Sequence, residues 1–160
     1  MILRNATIQD LDILALVESI CFPQAEAASK ETIGERLAVY PNHFWVIADG
    51  DTIIGFIDGP VVNQPNIVDE MFENAQMHAE DGLYQSVFGL SVLPEYRRNG
   101  YAAKLMRALI ADARNAGRKG CILTCKEHLV SYYAKFGYRN QGVSASVHGG
   151  AVWYDMLLEF

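Results

Sequence analysis

Arg97, Arg98 and Asn99 run directly into Gly100, and a helix-forming stretch opens with Tyr101 and Ala102. Positive charge at that place opposes the helix dipole, whose N-terminal end favours Asp, Glu or a bound anion. The amides of a first helical turn are unpaired and point outward. Gly100 has no side chain and Ala102 is small, so an anion can reach those amides while two guanidinium forks neutralise it. The chemistry is that of a phosphate or pyrophosphate cradle. It is neither a G-x-G-x-x-G turn nor a P-loop, which would need a Lys followed by Ser or Thr. The four histidines, His43, His78, His128 and His148, are scattered at no metal-ligand spacing, so no metal is expected.

Elements must hold this cradle in place. "MILRNA" reads as a strand, and Thr7 with Asp10 resembles a capping box. Leu11, Leu14, Leu16, Val17 and Ile20 mark one helical stripe. Ser29 can cap a second helix through about Val39. "HFWVIADGDTIIGFIDG" reads as a hairpin around Asp-Gly, and "DEMFENAQMH" as a short acidic helix or irregular segment. "LYQSVFGLSV" is apolar on both faces, the mark of an inner strand. The helix from about Gly100 to Ala116 carries a core face of Leu105, Met106, Leu109, Ile110 and Ala113. "CILTC" is a short buried strand, and a helix around Leu129 to Phe136 follows it. The last two runs, "YRNQGVSASV" and "AVWYDMLLEF", form a hairpin across His148-Gly149-Gly150. Antiparallel hairpins around one strand–helix–strand unit give an α+β class: a mixed, mostly antiparallel sheet of about six to seven strands, with about four helices. With 160 residues, one domain over residues 1–160 is expected.

The net charge of -6 speaks against a nucleic-acid partner. From Leu37 to Tyr96 there is no Lys or Arg, whereas from Arg97 onward ten basic residues face four acids. Cys121 and Cys125 on one strand would stand about 13 Å apart, too far for a disulfide. No apolar run reaches the roughly 20 residues that span a bilayer, and no cleavable signal is expected. The expectation is a cytoplasmic protein that meets neither membrane nor nucleic acid.

"R-R-x-G-x-A" after "GLSVLPEYR" resembles the acetyl-CoA motif of the GNAT superfamily of N-acetyltransferases, Arg/Gln-x-x-Gly-x-Gly/Ala. "YYAKFGY", residues 132–138, resembles that family's Y-x-K-x-G-F segment, and the early hairpin fits its first strands. The resemblance runs over essentially the whole chain. "LPEYRRNGYAAKLM", "ILTCKEHLVSYYAKFGY" and "VHGGAVWYDM" resemble the arylalkylamine (serotonin-type) branch in a bacterial-looking form. It implies transfer of an acetyl group from acetyl-CoA, as cosubstrate, to a primary amine in a ternary complex. It implies cosubstrate binding by Arg97, Arg98, Asn99, Gly100, Tyr101 and Ala102. It also implies a β-bulge near Leu90, Ser91 and Val92 whose backbone pairs with the pantetheine arm. The tyrosine that would protonate the departing thiolate falls on Tyr133. Where the animal branch carries two histidines, this chain has Ser86 and Phe88.

Acyl transfer requires a deprotonated amine, a polarised thioester carbonyl and a departing thiolate. A strand N–H near Leu90 to Val92 can polarise the carbonyl, and Tyr133 can protonate the sulfur. For the amine proton two routes stay open: a water chain ordered by Ser86, or an acid of the "DEMFENAQMH" segment, with Glu70 first. His78 and His148 could line a substrate mouth, and Phe22 and Phe72 an apolar wall. The expected partner is a small cationic amine; a homodimer is compatible with the chain. Two other readings are an acetyltransferase of a protein or peptide amine and a non-catalytic acetyl-CoA-binding module. The presence of Tyr133 favours an enzyme.

Overall fold

A computed structural model describes residues 1–160, which divide into two compact units. The first comprises Met1–Gly59 and Gly89–Leu109; the second comprises Pro60–Phe88 and Ile110–Phe160. Nine strands form two sheets, so the α+β class holds, with more strands than the sequence suggests. No helix is long and apolar enough to cross a membrane.

The sheet of the first unit is antiparallel, in the order β1 (Ile2–Asn5), β2 (Phe44–Asp49), β3 (Thr52–Asp58), β6 (Gly89–Val92). The Thr7–Asp10 capping box forms, and Arg4 holds Asp10 through two hydrogen bonds of 2.8 and 3.0 Å. It leads into α1 (Leu11–Cys21), which buries Leu14, Val17 and Glu18 and packs on β3 and β6. Ser29 caps α2 (Lys30–Val39) by accepting from Thr32 N at 3.1 Å. Tyr40, Phe44 and Phe56 stack with centroids 5.4 and 6.4 Å apart and fill the core. A Cβ at Gly55 would lie 2.5 Å from the Ser91 carbonyl, so only glycine lets β3 approach β6 this closely.

The second unit orders its strands β4 (Val61–Val62), β5 (Tyr84–Val87), β7 (Gly120–Cys125), β9 (Tyr154–Glu159), β8 (Arg139–Val143). Only β5 and β7 run parallel. The acidic segment "DEMFENAQMH" folds into α3 (Glu70–Glu73) and a 3-10 turn, Ala75–Met77. Its Ile67 and Met71 bury against Val62 and Ile122. Asp69 ties this segment to the last turn, accepting from Ser146 Oγ and, at 3.0 Å, from Val147 N. The amphipathic α4 (Tyr101–Asn115) starts in the first unit and ends in the second. A short α5 (Val130–Ala134) precedes Tyr138, which is buried. Burial pushes the Cys121 and Cys125 thiols up to about 12 and about 11, as befits inert core sulfurs.

The run read as one inner strand over residues 83–92 is two strands. It breaks at Phe88, with β5 in one sheet and β6 in the other. This corrects the expected bulge. Leu90, Ser91 and Val92 pair with β3 in unbroken register, and the interruption precedes Gly89. An apolar run buried on both faces carries no period that would reveal such a change of sheet.

Candidate active site

The loop before α4 is built for its glycine. Gly100 has φ +79° and Arg98 φ +66°, so two left-handed residues bracket Asn99. Asn99 spends its side-chain amide on the carbonyls of Tyr96 (3.0 Å) and Arg97 (3.1 Å), which makes it a loop brace. Arg97 donates from Nε to Val92 O at 2.9 Å, fixing the stem of its guanidinium. The first helical bond of α4 runs from Lys104 N to Gly100 O at 3.1 Å. The amides of Tyr101, Ala102 and Ala103 are therefore those of an open first turn. Nothing lies within 4 Å of a Cβ placed on Gly100, so the approach is clear. Arg97 and Arg98 are both exposed beside it.

The strand that leads to this loop, β6, is the last in its sheet. Leu93 N donates to Ile54 O at 2.8 Å, which sets the alternation of the ladder. Ser91 faces Phe56 as a hydrogen-bonded pair, whereas Leu90 and Val92 occupy non-bonded positions. The N–H groups of Leu90 and Val92 thus point to the unpaired edge. Val92 O already serves Arg97, and Cys21 Sγ reaches it at 3.5 Å. Ser91 does not share the edge role: its side chain is buried and its Oγ has no hydrogen-bond partner.

In the second unit, Tyr133 lies on α5 with edge-on ring contacts to Tyr132 (5.2 Å) and Tyr138 (6.2 Å). Burial raises its pKa well above the ordinary phenol value, with the Cys125 thiol adding to the effect. The phenol therefore keeps its proton at neutral pH. Ser86 is fully buried and donates its hydroxyl to Pro60 O at 2.6 Å, a local bond that ties β5 to the chain before β4. Glu70 sits exposed on α3. His78 is a structural histidine. Nδ1 accepts from Val61 N at 2.9 Å, and Nε2 meets Glu80 at 3.0 Å. Phe72 stacks on His148 (4.7 Å) and meets Phe88 at a tilt (4.5 Å).

The first unit holds charged residues that sequence reasoning missed. Glu18 of α1, Arg36 of α2 and Asp58 at the end of β3 are 6%, 7% and 2% exposed. Arg36 Nη1 is 4.0 Å from Asp58 Oδ2, and the Tyr40 hydroxyl donates to the same oxygen at 3.4 Å. Glu18 Oε2 accepts from Ala28 N at 2.9 Å. Desolvation raises both carboxyl groups, that of Asp58 to about 7; Arg36 opposes the shift and the Glu18 charge adds to it. The signal in the sequence was two acids inside apolar patterns, one on the stripe of α1 and one closing "TIIGFID".

The whole chain is similar in fold to solved structures. One is the GphF GNAT-like decarboxylase in complex with isobutyryl-CoA, with TM-score 0.86, 19% identity and 99% of each chain covered. Another is the loading GNATL domain of CurA from Lyngbya majuscula, with TM-score 0.84, 15% identity, and 99% of this chain and 96% of that chain covered. A third is the NatC complex bound to Gag peptide and CoA, with TM-score 0.79, 14% identity, and 99% of this chain and 98% of that chain covered. No curated protein matches the chain. Residues 11–138, which include the open helix turn, the edge strand β6 and Tyr133, match the family described as Acetyltransferase (GNAT), and the chain belongs to that family.

Proposed function

We propose that the protein is an acetyl-CoA-dependent N-acetyltransferase whose acceptor is a small cationic primary amine, as in the arylalkylamine branch. The observation that carries this reading is the glycine-opened turn of α4, with its amides unpaired and Arg97 and Arg98 exposed beside it. The cosubstrate's pyrophosphate sits on the amides of Tyr101, Ala102 and Ala103. Its pantetheine arm pairs with the edge of β6 at Leu90 and Val92, and the Leu90 N–H polarises the thioester carbonyl. Tyr133, still protonated at neutral pH, gives its proton to the departing thiolate. Three unpaired cysteines fit a reducing compartment such as the cytoplasm.

Relatives in fold include a decarboxylase and a peptide-bound complex, so the acceptor is argued from this chain's own charges. Its segment Leu37–Tyr96, with nine acids and no Lys or Arg, suits an ammonium better than a neutral or anionic acceptor. A panel of primary amines, amino-terminal peptides and anionic acceptors, assayed with acetyl-CoA for thiol release, tests the reading. Small cationic amines are expected to turn over fastest, and Tyr133→Phe to lower that rate by about 10²-fold or more at nearly unchanged acetyl-CoA affinity. Thiol release with peptides alone would move the acceptor to a protein. Tight acetyl-CoA binding without transfer to any acceptor would make the protein a binding module.

A further inference from the structure

We propose that Asp155, on the open face of β9, anchors the ammonium group of the acceptor, and that the aromatic rings beside it receive the acceptor's tail. This rests on the acetyltransferase reading above and lies wholly within the second unit. A cationic acceptor needs an anion to hold it, and the acids of the segment before β5 are engaged or in solvent. Asp69 accepts from Ser146 Oγ and Val147 N, Glu80 meets His78 and Arg118, and Glu70, Glu73 and Asp81 are exposed.

The two faces of the second sheet differ. β7 and β9 are inner strands with a neighbour on either side. On one face Leu123, Cys125, Met156 and Leu158 are buried. On the other, Thr124 and Asp155 stand opposite each other in the ladder, and both are half-buried. Ile122 shares that second face and is sealed, because Ile67 and Met71 lie on it. The cover ends there, so the floor at Thr124 and Asp155 opens to solvent. Residues 144–153 border this floor and fold back on themselves. Ser144 N donates to Trp153 O at 2.8 Å, and Trp153 Nε1 donates to His148 O at 2.8 Å. Asp69 clasps this loop to the α3 segment, and Phe72 stacks on His148 with centroids 4.7 Å apart. His148 in turn meets Trp153 at 6.3 Å. Phe72, His148 and Trp153 thus form a row of half-buried rings. Trp153 lies two positions before Asp155, so both side chains leave the same side of the extended run.

Asp155 is the one member of this floor that lacks a partner for its charge. Its Oδ1 is buried with no hydrogen-bond partner, while the residue as a whole is half-exposed. A buried acceptor without a donor is rare in folded proteins. Ser144, whose Oγ accepts from Ser146 N at 3.0 Å, gives the carboxylate a hydrogen bond. Burial still pushes the carboxyl above its ordinary range, as expected of a charge with too little compensation. An ammonium supplies both missing parts, an N–H donor for Oδ1 and a positive charge for the carboxylate. The ring wall accepts cations as well: Lys126 Nζ lies 5.7 Å from the Trp153 ring centroid. The ligand class that fits is a primary ammonium with a flat apolar tail, its charge on Asp155 and its tail along Trp153 and His148.

The test is calorimetric titration of the full chain with phenethylamine and with its uncharged counterpart 2-phenylethanol, with and without saturating coenzyme A, for the wild type and Asp155→Asn. The wild type should bind the amine about 10-fold or more tighter than the alcohol, the range of a hydrogen bond to a charged group. In a folded Asp155→Asn that preference should vanish while affinity for the alcohol stays within a few-fold, a pattern that a merely structural Asp155 would not give. In the transfer assay the variant should raise the KM for phenethylamine by about 10-fold and leave that for acetyl-CoA within a few-fold. A wild type that binds the amine no better than the alcohol, or binds neither, would overturn the proposal whether or not the variant folds. So would a folded Asp155→Asn that keeps the wild-type preference. A preference that Asp155→Asn abolishes, in a protein that releases no thiol from acetyl-CoA with any acceptor, would uphold the ammonium site and overturn the acetyltransferase reading instead.

Discussion

At the scale of single residues, the fold shifts the protonation of several buried groups. Asp58 titrates at about 7 instead of its ordinary 3.8, because burial outweighs Arg36. Between those values the folded chain keeps a proton that the unfolded chain has released. Stability therefore falls as pH rises across this window and levels off above it. Glu18, raised by the same cause, adds to the slope. Asp58→Asn should flatten the loss of urea stability between pH 4 and pH 7, and curves that stay parallel to wild type would show that Asp58 is ionised throughout. Tyr133 is shifted in the same sense, but a phenol is neutral on both sides of this range and contributes no slope. The two acids were hidden in the sequence because they lie forty positions apart and meet only through the packing of α1 on β3. The arginines and Gly100 could be read directly, since one loop and one helix start contain them all.

At the scale of elements, glycines decide where backbones may touch. A Cβ at Gly120 would clash with the Leu158 carbonyl, as β7 and β9 run side by side. Gly120→Ala must push a central strand off its neighbour, and a stability loss of about 1–3 kcal/mol is expected in urea denaturation, with the first unit's sheet unaffected in hydrogen exchange. A loss under a few tenths would mean that the strand shifts freely. Local signals did fix most elements: the capping box at Thr7, Ser29 at the start of α2 and the five-residue core face of α4 all form as their spacing suggests. The division at Phe88 could not be read, because Val87, Phe88 and Leu90 look alike to any hydropathy pattern. Which sheet each half joins depends on partners distant in sequence, β7 for one and β3 for the other.

At the scale of the whole molecule, the chain carries an α+β acetyltransferase fold and belongs to the GNAT family. Its acidic middle segment and basic last third were visible in the sequence. The structure treats these acids differently: Asp58 is buried beside Arg36, while Glu70 stays in solvent. Calorimetric titration with acetyl-CoA probes the cradle at the start of α4 without any intervening chemistry. Gly100→Glu puts a carboxylate where the pyrophosphate belongs, and Gly100→Asn keeps the position neutral with a side chain that tolerates the left-handed backbone. The wild type is expected to bind in the micromolar range or tighter, the folded Gly100→Asn more weakly, and a folded Gly100→Glu not at all. Wild-type affinity in a folded Gly100→Glu would contradict the cradle.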